Sequence, residues 1–438
     1  MHVAGIIAEY NPFHQGHQYL IRKVRETLGP DTPIVVIMSG AFVQRGEPAL
    51  IDRASRTSAI LQCGVDVVLE LPFTFATGSA DRFAKGAIFS LDSTGIVTDL
   101  FFGAEHDSLS DLTEIAALDL ESSKEFSVKL NELQKSGLSY AAAWEQATTE
   151  YLRNAGEQYS ALKDKIDPIL REPNNTLAIA YLRELKRISS SITPHLVRRS
   201  ESYHESELTE GKLPSATAIR KKVHSSYRTK RHGTFLYSLH EMRNFIPTPM
   251  LSEMLYRWKH DTYPMGAQDL IENAMPILRA QSTACLSEIA HMGEPLANHL
   301  KNRINSMHFD PTLSPEEAFI QQVHTKCFPN TRVMRALSSL VVGQTEEDLL
   351  VLDMPCYLRL LGFSERGRNV LKIMRQSAAL PILSRASDAL HYQKNKFFDR
   401  MNRLDLISHD WWTWHARHTF EEDYHFEVIQ YKRNKIYR

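Results

Sequence analysis

Cysteine is scarce in this sequence: Cys63, Cys285, Cys327 and Cys356 are the only four in 438 residues, and no Cys-x-x-Cys pair occurs. That spacing argues against a disulfide framework and against a zinc site, and it predicts reduced, partly buried thiols. Long apolar runs are missing too. No segment approaches the ~18 consecutive apolar residues of a membrane span, so no membrane contact is expected. No basic stretch followed by an apolar core and a small-residue cleavage site opens the chain, so no export signal is read and a cytoplasmic location is expected. An excess of either charge is also absent, since 51 Lys and Arg face 52 Asp and Glu. Overall charge therefore advertises no polyanionic partner, although a local basic face would be enough for one. There is no convincing Ser-His or Cys-His constellation, which turns the search away from a protein nucleophile. No internal repeat or low-complexity tract is visible.

What is present is the composition of a globular protein, 43% apolar and 24% charged, long enough for two or three domains. Its focal stretch is Ala8-Glu9-Tyr10-Asn11-Pro12-Phe13-His14-Gln15-Gly16-His17. Val3 to Ile7 before it is an apolar run suited to a buried strand, and Leu20, Val24 and Leu28 behind it share a helix face. Strand, loop and helix start thus meet at Asn11 to His17. A helix start offers unpaired N–H groups and the positive end of its dipole, a seat for phosphate. Gly16 lets backbone come close, and His14 and His17 add two donors. The pair alone could equally be surface residues or half of a metal site; the strand-loop-helix setting is what favours a nucleotide.

The alternation continues. Ile34 to Met38 is a second strand, followed by the polar loop Ser39 to Pro48, where Gln44 and Arg45 are candidate substrate or phosphate contacts and a solvated turn is the alternative. Arg53 to Gln62 is helical, Val65 to Leu71 is a third strand, Phe83 to Leu91 is helical, and Asp99 to Gly103 is a fourth strand. The class read from this is α/β, a doubly wound parallel sheet. A helical insertion spans about 107–170, in which Trp144, Tyr151 and Tyr159 are read as core. A helix opened by Pro173-Asn174-Asn175 then leads to a fifth strand, His195 to Arg199. Ser215 reads as an N-cap with Thr217 in the first turn and Arg220, Lys221 and Lys222 close behind, cations that make sense beside a bound anion. Residues 1–232 are taken as the catalytic domain and 233–438 as a mainly helical one with basic residues near aromatics, compatible with RNA.

The His-x-Gly-His loop and the later Ser215-Ala216-Thr217-Ala218-Ile219-Arg220 helix start resemble the nucleotidylyltransferase superfamily. Ser39-Gly40-Ala41-Phe42-Val43-Gln44-Arg45-Gly46-Glu47-Pro48, Phe102-Gly103-Ala104-Glu105, Pro173-Asn174-Asn175 and Tyr357 to Phe363 further resemble the tRNA(Met) cytidine acetate ligase family. The resemblance runs to about Leu390. It implies a nucleotidylyltransferase-like Rossmann fold and an enzyme that activates acetate with ATP and acetylates the N4 amine of the wobble cytidine of elongator tRNA(Met). By that analogy ATP lies along Ile7, Ala8, Glu9, Tyr10, Asn11, Pro12, Phe13, His14, Gln15, Gly16, His17 and Gln18. Gly103, one of Asn174 and Asn175, and one of Arg198 and Arg199 complete the site, with Asn175 and Arg199 preferred.

Catalytic roles fall to His14, His17, Ser215, Thr217 and Arg220, a substrate loop to Ser39, Gly40, Gln44 and Arg45, and tRNA contact to Arg359, Arg366 and Arg368. Mg²⁺ is expected with ATP. Neither its ligands nor the oligomeric state can be read. Asp52-Arg53-Ala54 departs from the Asp-Lys-Trp of the family, and Arg53 keeps the charge with different geometry. The rival readings are a small-metabolite nucleotidylyltransferase and a non-catalytic RNA-binding protein on the same fold.

Overall fold

The computed structural model describes residues 1–118, 120, 123–136, 138, 140–154, 165–199, 213–229, 235–236, 239–260, 262–307, 312–420, 425–432 and 435–437. The expected domain boundary at 232/233, Tyr159 and the 433–434 part of the basic tail lie outside these residues.

The apolar runs form the strands they predict. These are β1 (Ala4–Ala8), β2 (Ile34–Ser39), β3 (Val67–Leu71), β4 (Asp99–Ala104) and β5 (Thr193–Arg198), with α1 (Gln15–Leu28) and α2 (Arg53–Gln62) among the helices between them. They pair in parallel in the order β5-β4-β1-β2-β3. All six residues of β2 are buried, because alternate side chains enter two separate cores. Val35 and Ile37 join Val67 and Leu69 on one face, while Ile34, Val36 and Met38 join Ile6 and Val68 on the other. Burial on both faces is why such strands read as continuous rather than alternating apolar runs. The second face also carries Ile21 and Val24 of α1 and Ile219 and Val223 of the Ala216–Thr229 helix, so the two motif-bearing helices share one layer.

Helices dominate the chain beyond residue 239, as the spacings predict, but among the described residues four strands from that part extend the same sheet. They are β6 (Leu358–Ser364), β7 (Ile382–Leu383), β8 (Ile429–Lys432) and β9 (Lys435–Tyr437). β6 runs antiparallel to β3, with Val67 opposite Phe363 and Glu70 opposite Arg359, and β8 and β9 follow outward. Buried Asp66 fastens the junction, accepting from the Ile34 N–H at 3.0 Å and the Ser364 hydroxyl at 2.7 Å. The insertion is helical, and Trp144 and Tyr151 pack edge-on against Phe126 as core residues. Among the described residues no helix is long and apolar enough to cross a membrane.

The order places the site. From β1 the chain moves to β2 and β3 on one side and to β4 and β5 on the other, so the connections after β1 and β4 diverge and leave a crevice at their carboxyl ends. Ligands of open α/β sheets bind at such a switch point.

Candidate active site

The loop after β1 ends in His14, the N-cap of α1, which accepts from the Gly16 N–H through Nδ1 at 3.1 Å. His17 returns the arrangement, its Nδ1 accepting from the His14 N–H at 3.2 Å. Two histidines therefore do what a Ser/Thr and Glu pair does in an ordinary capping box. Because both Nδ1 atoms accept, a neutral ring carries its proton on Nε2, and each histidine presents one N–H donor on its free edge. The rings lie 3.8 Å apart between centroids, and His17 is held between Phe13, stacked at 5.6 Å, and the edge of Tyr10 at 4.9 Å. Burial, reinforced by the His17 and Arg220 sides of the pocket and by Arg199, puts the His14 pKa well below its ordinary value. Burial and the Arg199 charge take His17 down to about 3. Both rings are neutral donors at physiological pH.

One sequence expectation changes. The first N–H groups of α1 are not open to a phosphate: Gln15 donates to the Phe245 carbonyl at 2.9 Å, Gly16 to His14 Nδ1, and His17 to the His14 carbonyl at 2.9 Å. The donors available are the imidazole edges. Phe245 lies far along the chain in an otherwise helical stretch, and nothing local marks its carbonyl as a cap.

The second motif converges on the first. Ser215 caps its helix by accepting from the Ala218 N–H at 3.0 Å. One turn on, Arg220 donates from Nη1 to the Asn11 carbonyl at 2.9 Å and from Nη2 to the Thr217 hydroxyl at 3.3 Å, while its Nε faces Glu47 at 3.9 Å. Arg220 thus ties the helix start to the histidine loop. Glu9 lies beneath, accepting from the Gln44 N–H at 2.8 Å. Burial raises its pKa against the opposing effect of that bond and of Arg220 and Arg45. Asn11 accepts from the Leu50 N–H at 2.7 Å, and its amide nitrogen is buried with no partner among the described residues.

A residue that sequence reasoning missed holds these loops. Fully buried Arg56 of α2 donates to the carbonyls of Glu9 and Ser39, each at 2.8 Å, to Ile51 at 3.1 Å, and to Gly40. It ties the carboxyl ends of β1 and β2 together. Ser39 and Gly40 are accordingly buried framework, and the Gln44 side chain donates to the Gly78 carbonyl at 3.2 Å. Beneath Gly40 lies a buried ionic group. Glu70 of β3 pairs with Arg53 and with His409 Nε2 at 2.7 Å, and Arg359 lies 3.9 Å off. A Cβ on Gly40 would come within 2.1 Å of Glu70 Oε1. Gly40→Ala is expected to lower stability by ~1–3 kcal/mol through overpacking, measured as a fall in the thermal unfolding midpoint; an unchanged midpoint would contradict this packing.

The arginine and asparagine pairs separate. Arg198 points outward to Asp107 at 3.4 Å and is exposed, whereas Arg199 lies against Gly103 and its charge bears on both histidines. A Cβ on Gly103 would meet the Arg199 side chain at 3.1 Å. Asn175 is buried and clamps the loop after β4, accepting from the Glu105 and His106 N–H groups at 2.9 Å each and donating to the Ile169 carbonyl at 3.0 Å. Asn174 is less buried and donates to Glu105.

The residues read as tRNA contacts do not gather here. Arg359, 6% exposed, is taken up beneath the surface by Glu70 and Asn402, which removes it from the reach of an RNA phosphate. Arg366 faces Asp31 at 3.4 Å and Arg368 faces Gln430 at 3.4 Å. Both stand by the starts of β2 and β3, roughly 20 Å from the catalytic loops at 3.3 Å per strand residue. Arg53 is a counter-ion to Glu70.

The family model for the HIGH Nucleotidyl Transferase matches residues 1–424. The tRNA(Met) cytidine acetate ligase of Syntrophomonas wolfei is 36% identical over 392 residues, 89% of this chain and 88% of that protein. The chain belongs to the tRNA(Met) cytidine acetate ligase family. It is an enzyme of the ligase kind. The tRNA(Met) cytidine acetate ligase of Acetivibrio thermocellus is 32% identical over 391 residues, 89% of either chain. Among solved structures, Thermotoga maritima TmcAL bound with alpha-thio ATP superimposes with a TM-score of 0.85 at 28% identity, covering 99% of this chain and 100% of that one. The apo form gives 0.86. The likeness therefore extends over nearly the whole chain and is not confined to the first five strands.

Proposed function

We propose that this cytidine acetate ligase joins acetate to ATP as acetyl-adenylate and transfers the acetyl group to the N4 amine of the wobble cytidine of elongator tRNA(Met). The observation that carries the reading is the convergence of His14, His17, Arg199 and Arg220 at the carboxyl ends of β1 and β4. An acetate oxygen attacks the α-phosphorus and pyrophosphate leaves. The cytidine amine then attacks the acetyl carbon, AMP departs with the electron pair of the broken C–O bond, and the amine gives up a proton. No protein nucleophile is required.

The histidine Nε2–H groups meet charge building on the α-phosphate oxygens, and Ser215, Thr217 and Arg220 hold the pyrophosphate side. Fixed donors in a water-poor pocket act without reorganising when the charge moves. Among the described residues no three His, Cys, Asp or Glu side chains form a metal cluster. We propose that Mg²⁺ arrives with the triphosphate, since this ion takes most ligands from phosphate and water and few from carboxylates. Glu47, facing Arg220, is the carboxylate we assign to it. Bound there, the ion would neutralise charge on the phosphate oxygens.

The division into a catalytic part, 1–232, and a tRNA-binding part, 233–438, belongs to the same reading, with β6 to β9 built into the catalytic sheet. Arg366 and Arg368 are assigned to tRNA outside the wobble position. The deciding experiment uses the purified protein with ATP, Mg²⁺, acetate and a transcript of elongator tRNA(Met), with nucleosides analysed by mass spectrometry. N4-acetylcytidine and one AMP per acetyl group are expected, with acetate-dependent ATP–pyrophosphate exchange when tRNA is omitted. Exchange supported by a phosphorylated metabolite but not by acetate would favour a small-molecule nucleotidylyltransferase; no AMP under any condition would favour a non-catalytic RNA-binding protein.

A further inference from the structure

Arg335 lies on the Asn330–Val342 helix, outside every motif used so far. Its Nε is sealed from solvent with no hydrogen-bond partner, and no ion pair with a carboxylate involves it among the described residues. The charges that bear on it are those of Arg332 and Arg45, both cationic. Arg332 is partly engaged, donating to the His291 carbonyl at 3.3 Å and lying over the Phe328 ring. Arg82, close by, is taken up by the carbonyls of Thr74, Leu349 and Leu352. Asp353 and Glu346 are the acids of this neighbourhood: both bear on Arg82, and Glu346 also bears on Arg332. The His291 ring faces Arg335, Arg82 and Arg332, and its Nε2 is likewise sealed and without a partner among the described residues. Burial and those cations hold its pKa near about 3, so it adds no charge.

The backbone enforces this meeting of like charges. Gly46 has φ +81°, and its N–H closes a turn on the Val43 carbonyl at 2.8 Å. A Cβ at Gly46 would lie 2.4 Å from the Arg335 nitrogen and 2.5 Å from the Met334 carbonyl carbon. The substrate loop is thus pressed onto the helix backbone at Arg335, with Arg45 the adjoining residue. Arg45 also bears on Glu9, which links this contact to the floor of the histidine pocket. A guanidinium with a sealed Nε and cations for neighbours is costly to keep in place unless an anion meets it.

We infer that Arg335, with Arg45 across the Gly46 contact, holds a backbone phosphate of the RNA beside the reacting cytidine. This rests on the tRNA reading above. A phosphodiester offers two oxygens to the planar fork of an arginine. It must also lie a nucleoside's length from the amine being acetylated, outside the ATP pocket and on its rim. In that reading acetate reaches the α-phosphorus beside the histidines, and Arg199 and Arg220 take the ATP phosphates.

The test uses the full-length protein and Arg335→Ala, Arg335→Gln and Arg335→Lys. Acetate-dependent ATP–pyrophosphate exchange without tRNA should stay within about twofold of the parent, while kcat/KM for tRNA(Met) falls about tenfold or more for alanine and glutamine. The slope of log affinity against log salt for tRNA should become shallower by about 0.7, the contribution of one single-strand phosphate. Lysine should restore the slope but only part of kcat/KM, because charge returns without the fork. The same titration on Arg366→Glu with Arg368→Glu reads the opposite edge separately. A raised KM for acetate in the exchange assay would assign the site to the carboxylate, a raised KM for ATP would assign it to the triphosphate, and unchanged tRNA kinetics would leave it empty; each overturns the inference. Absence of N4-acetylcytidine with the parent protein would instead fail the underlying reading.

Discussion

Replacing His17 by alanine is expected to lower acetate-dependent ATP–pyrophosphate exchange by ~10²-fold or more, the usual consequence of removing one donor to a developing oxyanion. The ring is fixed between Tyr10 and Phe13, and its Nδ1 is taken by the His14 N–H, so its Nε2–H faces one direction only. Asparagine in its place keeps a donor on a shorter arm and should recover little. Exchange near the parent level in His17→Ala would remove the loop from the chemistry. The same geometry fixes the pH behaviour. His17 titrates at about 3 and His14 well below its ordinary value, each chiefly through burial. No change in exchange rate near pH 6.5 should therefore trace to either ring in the free enzyme. Stability carries the opposite signature. The unfolded chain protonates these histidines below about 6.5 while the folded chain leaves them neutral, so their part of the stability declines as pH falls from about 6.5 towards 3. Thermal unfolding of the parent and of His17→Ala across that window measures it, and equal pH slopes for the two proteins would refute the assignment.

Arg220→Met is expected to have an effect of similar size on kcat/KM for ATP, ~10²-fold or more, because one side chain both joins the two motifs and, in the function proposed above, meets the pyrophosphate. Arg220→Lys should recover only a small part. A single ammonium cannot span the Asn11 carbonyl and the Thr217 hydroxyl, which the guanidinium reaches from two nitrogens, and still present a donor to phosphate. Loss of this cation also removes one of the charges that oppose the upward push on the Glu9 carboxyl, so Glu9 should hold its proton to higher pH in the variant. Steady-state exchange kinetics over a range of ATP concentrations give the answer. A lysine variant as active as the parent would show that the tie between the motifs is dispensable.

Much of this protein was legible along the chain. Val3 to Ile7, Ile34 to Met38 and Val65 to Leu71 announce buried parallel strands because both faces of each are covered, and Ser215 announces a helix start because capping is a matter of three or four residues. The histidine loop is legible for the same reason, being one turn of backbone between a strand and a helix. Its family resemblance added the order of motifs, which no single spacing supplies.

Tertiary structure decided what depends on partners distant in sequence. Local sequence does not separate Arg198 from Arg199, and the family resemblance only favours Arg199; pairing of Ala104 with Arg198 in the sheet turns one outward to Asp107 and the next towards the histidines. Arg359, in a basic and aromatic stretch, resembles an RNA contact, yet β6 lays it opposite Glu70 and buries it. The closure of α1 by the Phe245 carbonyl, the four-fold grip of Arg56 on loop carbonyls and the packing of Gly46 onto the backbone at Arg335 have the same origin. Local sequence sets backbone preference and the facing of neighbouring side chains, whereas a charge or a carbonyl acquires its role only when the folded chain brings its counterpart alongside.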